Sequence, residues 1–432
     1  MINCAGSSWK ARSKACAWST CRPRRCISDP GETSWRHPGW RVVLTCFFLA
    51  LAAWGFGFYG HGVYLTEIRR AHGWSTTLIS AATTYYYLIA GVLVACAADA
   101  IERIGPRKFL IAGVACLALG TLLIPHIKAP WQLFAAYTLL ACGWAGTSLG
   151  AIVVVIGGWF HAKRGMAISL ALNGASASSV ILVPLLVAMS AGIGFKLATA
   201  VAVGLTCMVL VPMILFWITR PPASAASRQS EAAELQAAGA WTKRHALGSS
   251  AFWSATLPFA LGIAAQVGFL IHQLAVLQPV LGRVEAAFAV ALTGAFAVVG
   301  RVGLSFHIDR MDPRHASAVL LAIQALALML IANARAPEIL MLACAAFGIG
   351  VGNLITLPSL VVQREFSAAA FARVASLATA VCGVTYAFAP GLLGLLRDVS
   401  DGYAVPLYVC VALELAAAAL TFWRPRAGEF RP

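Results

Sequence analysis

The sequence predicts an all-α membrane protein whose twelve transmembrane helices form two six-helix bundles. Of its 432 residues, 60% are hydrophobic and 11% are charged, whereas soluble domains are about 45–50% apolar and about 25% charged. Apolar stretches of roughly the 20 residues that cross a bilayer recur along the chain. Each must be helical, because backbone groups need partners in hydrocarbon. This composition excludes an ordinary soluble enzyme, a disordered protein and a nucleic-acid-binding protein.

One long polar interruption divides the apolar stretches into six and six. It is rich in Pro, Ser, Ala and Gln, which is typical of a linker. We predict a disordered cytoplasmic tail (1–36), an N-terminal half (37–219), a cytoplasmic linker (220–250), a C-terminal half (251–424) and a cytoplasmic C-terminal tail (425–432). The predicted spans are 41–65, 75–98, 109–125, 131–155, 165–189, 195–219, 252–276, 286–307, 316–332, 339–362, 371–396 and 403–423.

The distribution of basic residues predicts the orientation. The chain has 32 Lys and Arg against 16 Asp and Glu, a formal charge of +16. With both termini inside, 24 of the 32 basic residues lie inside, seven lie outside and Arg301 lies within a span. Because cytoplasmic loops are enriched in Lys and Arg, we predict a multi-pass protein of the cell (inner) membrane with both termini cytoplasmic. The seven outer residues are Arg69, Arg70, Lys128, Lys196, Arg283, Arg335 and Arg397.

The sequence contains no pattern typical of a metal, cofactor or catalytic site. Eight of the 12 Cys lie in apolar stretches, where they behave as small hydrophobic residues. The other four lie in the N-terminal tail without the paired spacing of a zinc site. The spans show no nucleotide-binding loop and no Ser/His/Asp set. We therefore expect no enzyme activity, no cofactor and no metal.

A short motif occurs after the second and again after the eighth predicted span. Residues 102–108 read Glu-Arg-Ile-Gly-Pro-Arg-Lys, and residues 309–315 read Asp-Arg-Met-Asp-Pro-Arg-His, at a constant offset of 207 residues. An acid beside several cations can join helix ends by charge-assisted hydrogen bonds. Two copies at equivalent places are poorly explained as simple basic loops. We predict a cytoplasmic gating latch formed by Glu102, Arg103, Gly105, Arg107, Asp309, Arg310 and Arg314.

The repeated motif resembles the loop signature of the major facilitator superfamily, with Glu102 in place of the usual Asp. Residues 159–167 (Trp-Phe-His-Ala-Lys-Arg-Gly-Met-Ala), followed by Asn173 and a glycine, resemble the fifth-helix entry of the monocarboxylate porter and oxalate/formate antiporter branch. Arg301 resembles the eighth-helix arginine of that branch. The resemblance covers about residues 37–425. It implies two pseudo-symmetric bundles that alternate between two states, with a substrate carboxylate held by the arginine.

Arg301 is the sharpest candidate for a substrate-binding residue. It lies about 9 Å inside its predicted span at 1.5 Å per residue, where a guanidinium is costly unless it faces a partner or a cavity. Its planar fork suits a carboxylate. The acid that the branch has one turn earlier is Ala297 here, and the branch's first-helix lysine falls near Tyr59. The alternative role is a structural ion pair with Glu414.

Further polar groups at membrane depth are candidates for the substrate path or for a coupled proton. His61, His272 and Glu414 are the proton-coupling candidates, because histidine changes charge near neutral pH and the glutamate is alone in the last span. The alternatives are histidines that stay neutral, either bonded within the bundle or lining the vestibule, and a glutamate that is protonated in lipid or paired to a neighbour. Interhelical hydrogen bonding is the more frequent role of such groups. Of three consecutive tyrosines, Tyr86 or Tyr87 is expected to face the cavity. The predicted substrate-binding set is Arg301, Tyr59, His61, Tyr87, Asn173, His272, Asn353 and Tyr386.

These observations favour a secondary active transporter of small organic anions, with monocarboxylates as the expected class. Alternating access would be driven by proton symport or anion exchange. The alternatives are a non-transporting membrane sensor or receptor on the same scaffold, or an exporter of a different small metabolite. The expected partners are a small anionic substrate, a proton or counter-anion, and the lipid bilayer. We expect no nucleic acid and a monomeric protein.

Overall fold

The computed structural model describes residues 37–160, 163–219, 243–307, 310–366 and 368–425, and every regular element in these ranges is helical. Ten helices in the described ranges are long and apolar enough to cross a membrane, and two shorter apolar helices complete a set of twelve. The predicted helical architecture with twelve spans is therefore confirmed. The predicted N-terminal tail, most of the predicted linker (220–242) and residues 426–432 lie outside the described ranges.

Spans 1 to 6, numbered along the chain, form the N-terminal half. Span 1 contains a π-helical turn, Gly55–Tyr59, and span 4 is interrupted at Ser148, between helices that end at Thr147 and begin at Leu149. A short helix, Ala97–Ile104, follows span 2. The six spans are Gly39–His72, Thr76–Ala95, Pro106–His126, Pro130–Gly157, Arg164–Ile193 and Phe195–Trp217.

Spans 7 to 12 form the C-terminal half. Two further short helices are Lys243–Gly248, before span 7, and Leu357–Glu365, after span 10. The first of them lies inside the predicted linker, so the end of that linker is helical. Spans 7 to 12 are Ser250–Leu281, Arg283–Ser305, Pro313–Asn333, Pro337–Val351, Ala368–Val399 and Ala404–Leu420.

Span 10 differs from the continuous span over 339–362 that the sequence predicts. Its helix ends at Val351, and the chain passes through turns before the next helix begins at Leu357. At this break the backbone of Gly352 lies so close to span 8 that a Cβ there would overlap the Ala297 carbonyl oxygen. The glycine makes the approach possible. The break leaves helix-terminal carbonyls that need partners, and one of them bonds a side chain of span 8.

Glycines also bring other spans into close contact, as their number in the sequence suggests. A Cβ on Gly146 of span 4 would overlap Gly113 of span 3. Between spans 8 and 10, a Cβ on Gly348 would overlap the Thr293 carbonyl oxygen. Small residues at helix interfaces let backbones pack closely in membrane proteins. These contacts hold each half together as a unit.

The two halves meet where span 2 packs on span 11, span 5 on span 8, and the later part of span 1 on span 7. The turns between spans lie at two opposite ends of the molecule. We call them the Gly73 end, with the turns at Gly73, Gly282 and 400–403, and the Gly105 end, with the turns at Gly105 and 310–312. Along spans 2 and 11, described contacts between the halves are concentrated toward the Gly73 end.

Candidate functional site between the two halves

Arg301 lies one helical turn before span 8 ends at Ser305, close to the break in span 10. Its Nε donates a 3.3 Å hydrogen bond to the Gly352 carbonyl oxygen. Carbonyls at a helix C-terminus attract a cation, so the arginine stabilises the interrupted end of span 10. Among the described residues, neither Nη atom of Arg301 donates a hydrogen bond. The side chain is only half-buried, and its outer fork remains available to an anion.

The alternative partner of Arg301, Glu414, is not bonded to it in the described structure. Glu414 is fully buried in span 12, and neither of its carboxyl oxygens has a hydrogen-bond partner among the residues that the structure describes. One of these oxygens faces Gly262 of span 7. The structural ion pair that the sequence allowed is therefore absent in this conformation, and Glu414 occupies a separate position inside the C-terminal half.

Tyrosines of both halves lie at the contact between the halves, and Tyr59 is the one near Arg301. Tyr59, half-buried in the π-helical turn of span 1, interacts electrostatically with Arg301 and lies beside the Ser179 side chain of span 5. Tyr87 of span 2 meets Tyr386 of span 11 edge to face, with ring centroids 5.5 Å apart. Spans 1, 2, 5, 8 and 11 thus place one cation and several hydroxyl groups between the halves, an arrangement that can bind a small anion.

The π-helical turn positions Tyr59. A π turn frees backbone carbonyls that an α-helix would use, and such turns are frequent at functional sites. Here the Tyr86 hydroxyl donates to the Gly57 carbonyl oxygen at 2.6 Å, and the Tyr64 hydroxyl donates to the Phe56 carbonyl oxygen at 3.1 Å. Tyr86 therefore serves the backbone of span 1. The sequence predicts that either Tyr86 or Tyr87 faces the cavity, and in the structure Tyr87 is the one whose ring meets a ring of the other half.

His61 is enclosed by aromatic side chains of the N-terminal half. It is fully buried, with its ring 4.6 Å from that of Tyr86 and 5.1 Å from that of Tyr137. Its ring nitrogens make no hydrogen bond of normal geometry with any described residue. An imidazolium charge in this cage would lack acceptors and would be costly. In this conformation His61 makes no described contact with Arg301, and its place on the substrate path stays a prediction.

His272 lies on the contact between the halves. It is 1% exposed on span 7. Its Nε2 lies 3.3 Å from the Ser80 hydroxyl of span 2 and 3.1 Å from the Pro390 carbonyl oxygen of span 11. Its Nδ1 lies 3.2 Å from the Tyr403 hydroxyl. This histidine joins three elements of the C-terminal half to the N-terminal half.

Two matched stripes of residues close the Gly73 end. Thr77 donates to Asp398 Oδ2 from its backbone N at 2.6 Å and from its Oγ1 at 2.7 Å. Farther in, the backbone N of Gly391 donates to the Thr84 hydroxyl at 3.1 Å. Thr77, Ser80 and Thr84 are spaced i, i+3, i+7 on span 2, opposite Gly391, Gly394 and Asp398 with the same spacing on span 11.

Sequence reasoning missed this contact. The hydroxyl residues have helical spacing and were a usable signal, but the facing stripe contains two glycines and a single acid, Asp398, so no pattern in the sequence marks it. An ion pair between Glu67 of span 1 and Arg283 of span 8 adds a further tie at the same end. The described structure is therefore closed at the Gly73 end.

The two asparagines of the predicted substrate-binding set take no part in the hydrogen bonds described above. Asn173 is half-buried on span 5 and makes no described hydrogen bond. Asn353, in the turn after span 10, donates from Nδ2 to the Ile349 carbonyl oxygen at 2.9 Å. Its amide therefore stabilises the break in span 10. Neither asparagine is brought into contact with Arg301 by a described hydrogen bond.

The repeated arginines of the predicted latch have equivalent roles in the two halves. Arg107 Nε donates to the Ile218 carbonyl oxygen, just after span 6, at 2.9 Å. Arg314 Nη1 donates to the carbonyl oxygens of Thr421 and Trp423, just after span 12, at 3.1 Å each. Arg314 is 3% exposed and also pairs with Glu365 through Nε at 2.5 Å. Each arginine caps the last helix of its own half.

The acidic residues of the two motif copies differ in their described contacts. Glu102 and Arg103 are exposed and form no described ion pair, and Asp309 lies outside the described residues. Asp312 caps span 9 and pairs with Arg424. Burial alone would raise the pKa of the Asp312 carboxyl, but hydrogen bonds from the Arg314 backbone N and from Arg424 outweigh burial and lower it.

Two further latch positions are placed by the backbone. Gly105 adopts φ 85° between the short helix after span 2 and span 3, a conformation that favours glycine. Arg310 is exposed. These residues form the turns of the Gly105 end and tie no described element of one half to the other.

The sequence matches the model of the Major Facilitator Superfamily over residues 43–390. This match covers most of the chain, and the chain therefore belongs to this superfamily. The predicted major facilitator fold is confirmed by solved structures. A bacterial homologue of the human lysosomal transporter Spinster, in an inward-facing and unoccupied conformation, has a TM-score of 0.71 at 14% identity, covering 92% of this chain and all of that one.

A second solved structure and one curated relative are also similar to this chain. The structure of a D-xylose–proton symporter has a TM-score of 0.67 at 12% identity, covering 90% of this chain and 98% of that one. The uncharacterised MFS-type transporter YcxA of Bacillus subtilis (strain 168) is 24% identical over 186 residues. That alignment spans 42% of this chain and 45% of the relative, so less than half of the curated relative is matched.

Proposed function

We propose that this protein is a secondary active transporter of small organic anions, with monocarboxylates as the substrate class. The observation that carries the proposal is the position of Arg301: it lies near Tyr59 of the other half, and no described residue accepts a hydrogen bond from its Nη atoms. A guanidinium fork binds a carboxylate bidentately. Membership of the superfamily and the resemblance to its monocarboxylate branch support transport of this class.

Alternating access follows from the way the halves touch. With the Gly73 end closed, an anion reaches Arg301 from the Gly105 end. After binding, the halves rock, the contact between Thr77 and Asp398 opens and the Gly105 end closes. We place the Gly105 end in the cytoplasm, because the excess of Lys and Arg lies there. Under this proposal the protein works as a monomer in the cell (inner) membrane, with both termini cytoplasmic.

Either proton symport or anion exchange would drive the cycle. His272 is the best-placed proton carrier among the candidates, because its ring bonds to both halves and its charge change would alter the closed end. His61 and Glu414 are buried within single halves and would need a conformational change to exchange a proton. Under anion exchange, a second carboxylate replaces the first at Arg301 and no histidine is required.

Uptake into proteoliposomes tests the proposal. The purified protein is reconstituted, and uptake of labelled lactate, pyruvate, formate and oxalate is compared with that of labelled D-xylose, with and without an inward proton gradient or internal carboxylate. We expect saturable uptake of one or more monocarboxylates and none of the neutral sugar above protein-free vesicles. Carboxylate binding without uptake would favour the sensor alternative. Uptake of the neutral sugar alone would contradict an anion site.

A further inference from the structure

Three of the seven basic residues that the sequence places outside come together at one cavity. The cavity, of about 400 Å³, lies at the Gly73 end, and Arg69, Arg335 and Arg397 line it. They come from the end of span 1, the turn between spans 9 and 10, and span 11. Within the described part of the chain, no acidic residue lines the cavity. Basic residues that run against the positive-inside trend thus converge on one site.

The positive charges around the cavity are only partly neutralised by the described acidic side chains. Arg397 Nη1 pairs with Asp398 Oδ1 at 2.8 Å, but that carboxylate already accepts the two hydrogen bonds from Thr77. Arg397 Nε is buried and has no hydrogen-bond partner among the described residues. Arg335 is exposed, and its described side-chain hydrogen bond is a 3.3 Å contact to the carbonyl oxygen of its neighbour, Ala334.

The backbone adds to this potential. Span 10 begins at Pro337 and span 12 at Ala404, and the cavity lining includes Ala404 and Leu340 from the first turns of these helices. Unpaired N–H groups and the positive end of the helix dipole favour an anion at such positions. The opposite wall is apolar and is formed mainly by span 7, including Val276 and Pro279. The volume is that of a small-molecule pocket.

We propose that this cavity is a second ligand site, which binds an organic anion with an apolar body. The anionic group lies among the three arginines and the apolar body lies against span 7. This chemistry fits a soluble aromatic or aliphatic carboxylate, and it also fits the headgroup region of an anionic lipid. The site is separate from Arg301, which lies at the other end of span 8.

The site also couples to the closed end of the molecule. Arg69 belongs to the N-terminal half, whereas Arg335 and Arg397 belong to the C-terminal half. Tyr403, which lines the cavity, bonds to His272 at the contact between the halves. A ligand that bridges these groups binds the closed state more tightly than the open state, and therefore favours closure of the Gly73 end.

Benzoate binding to the whole protein in phosphatidylcholine nanodiscs tests the site, measured by titration calorimetry. We expect Arg335→Gln and Arg69→Gln each to weaken binding about tenfold, since each removes a charge-assisted contact. Lys196→Gln removes an exposed charge from the same end and should bind like the wild type. Neutral benzyl alcohol should not bind. Arg335 lies on a surface turn, so its variant should keep the wild-type melting temperature.

An Arg301→Ala variant separates this site from the proposed transport site. If both exist, the wild type binds two benzoates, Arg301→Ala removes one and Arg335→Gln weakens the other. If only the transport proposal fails, Arg301→Ala changes nothing and the loss in Arg335→Gln remains. Wild-type binding in Arg335→Gln and Arg69→Gln, or no binding in phosphatidylcholine, overturns the cavity proposal.

The lipid composition identifies the source of the anion. Replacing a third of the lipid by phosphatidylglycerol should lower benzoate affinity if an anionic headgroup occupies the cavity. Unchanged benzoate affinity assigns the cavity to a soluble anion. Both results support the same chemistry at the three arginines.

Discussion

Thr77 of span 2 and Asp398 of span 11 join the two halves through two hydrogen bonds to one carboxylate oxygen, at 2.6 and 2.7 Å. They lie 321 residues apart in the chain. Together with the contact between Ser80 and His272, they close the Gly73 end and leave Arg301 accessible from the other end. In an alternating-access cycle, these are the bonds that open and re-form.

Replacing Asp398 should shift the protein toward opening at the Gly73 end. Asp398→Asn keeps the shape but removes the charge, and hydrogen bonds to a charged acceptor contribute about 1.5–3 kcal/mol. Spin labels placed across the Gly73 end should show a larger population of long distances by double electron–electron resonance. Asp401→Asn, in the exposed turn that follows, is the matched control. Identical distance distributions in Asp398→Asn and the wild type would show that this bond does not hold the end closed.

Variants at the two histidines should differ in the pH dependence of uptake. His272 contacts both halves, whereas His61 is enclosed by tyrosines within one half. We expect His272→Gln to flatten the dependence of carboxylate uptake on external pH, because a glutamine cannot take up and release the coupled proton. His61→Gln should lower the rate and keep the profile. The reverse pattern would move the coupled proton to His61, and an unchanged profile in both variants would favour anion exchange.

Arg314 should be more important for stability than its neighbours in the latch motif. It is buried, pairs with Glu365 and binds the carbonyl oxygens after span 12. Loss of the Arg314 side chain leaves the buried Thr421 carbonyl oxygen without this donor, and an unsatisfied buried polar group costs about 1–3 kcal/mol. Arg314→Ala should therefore melt well below the wild type in detergent, whereas Arg310→Ala, at an exposed position, should not. Equal melting temperatures would mean that the Arg314 contacts contribute little to the fold.

Gly352 should be required for the geometry of the site. A methyl group there would overlap the Ala297 carbonyl oxygen, a backbone atom that cannot turn away. Gly352→Ala should move the carbonyl that Arg301 binds and lower carboxylate uptake. Gly383→Ala on span 11, where a Cβ meets nothing within 4 Å, is the control and should transport normally. Full uptake by Gly352→Ala would show that the break in span 10 tolerates displacement.

Much of the fold could be predicted from the sequence because hydrophobicity alone defines the spans. Twelve apolar stretches and one polar interruption suffice to predict two six-helix halves. The repeat at an offset of 207 residues also led to Arg107 and Arg314, which cap the last helices of their halves. The break in span 10 was not predicted, because it depends on how closely Gly352 approaches Ala297 of another helix.

The candidate site was only partly predictable, for a similar reason. Arg301 stands out in the sequence because a cation at membrane depth is costly unless it faces a partner or a cavity. Its bond to Gly352 and its distance from Glu414 depend on tertiary packing. His61 and His272 look equivalent in the sequence, yet one is enclosed by tyrosines and the other joins the halves. The pairing of Thr77 with Asp398 joins residues far apart in the chain, and no local pattern links them.

The role of Arg301 is tested most directly by uptake of a labelled monocarboxylate into proteoliposomes containing the wild type, Arg301→Lys or Arg301→Ala. Arg301→Lys keeps the charge but loses the fork, so its half-saturating concentration should rise about tenfold. Arg301→Ala should carry no more than protein-free vesicles, and Lys108→Ala, an exposed cation of the Gly105 end, should behave like the wild type. Wild-type uptake of the carboxylate by Arg301→Ala would contradict the account.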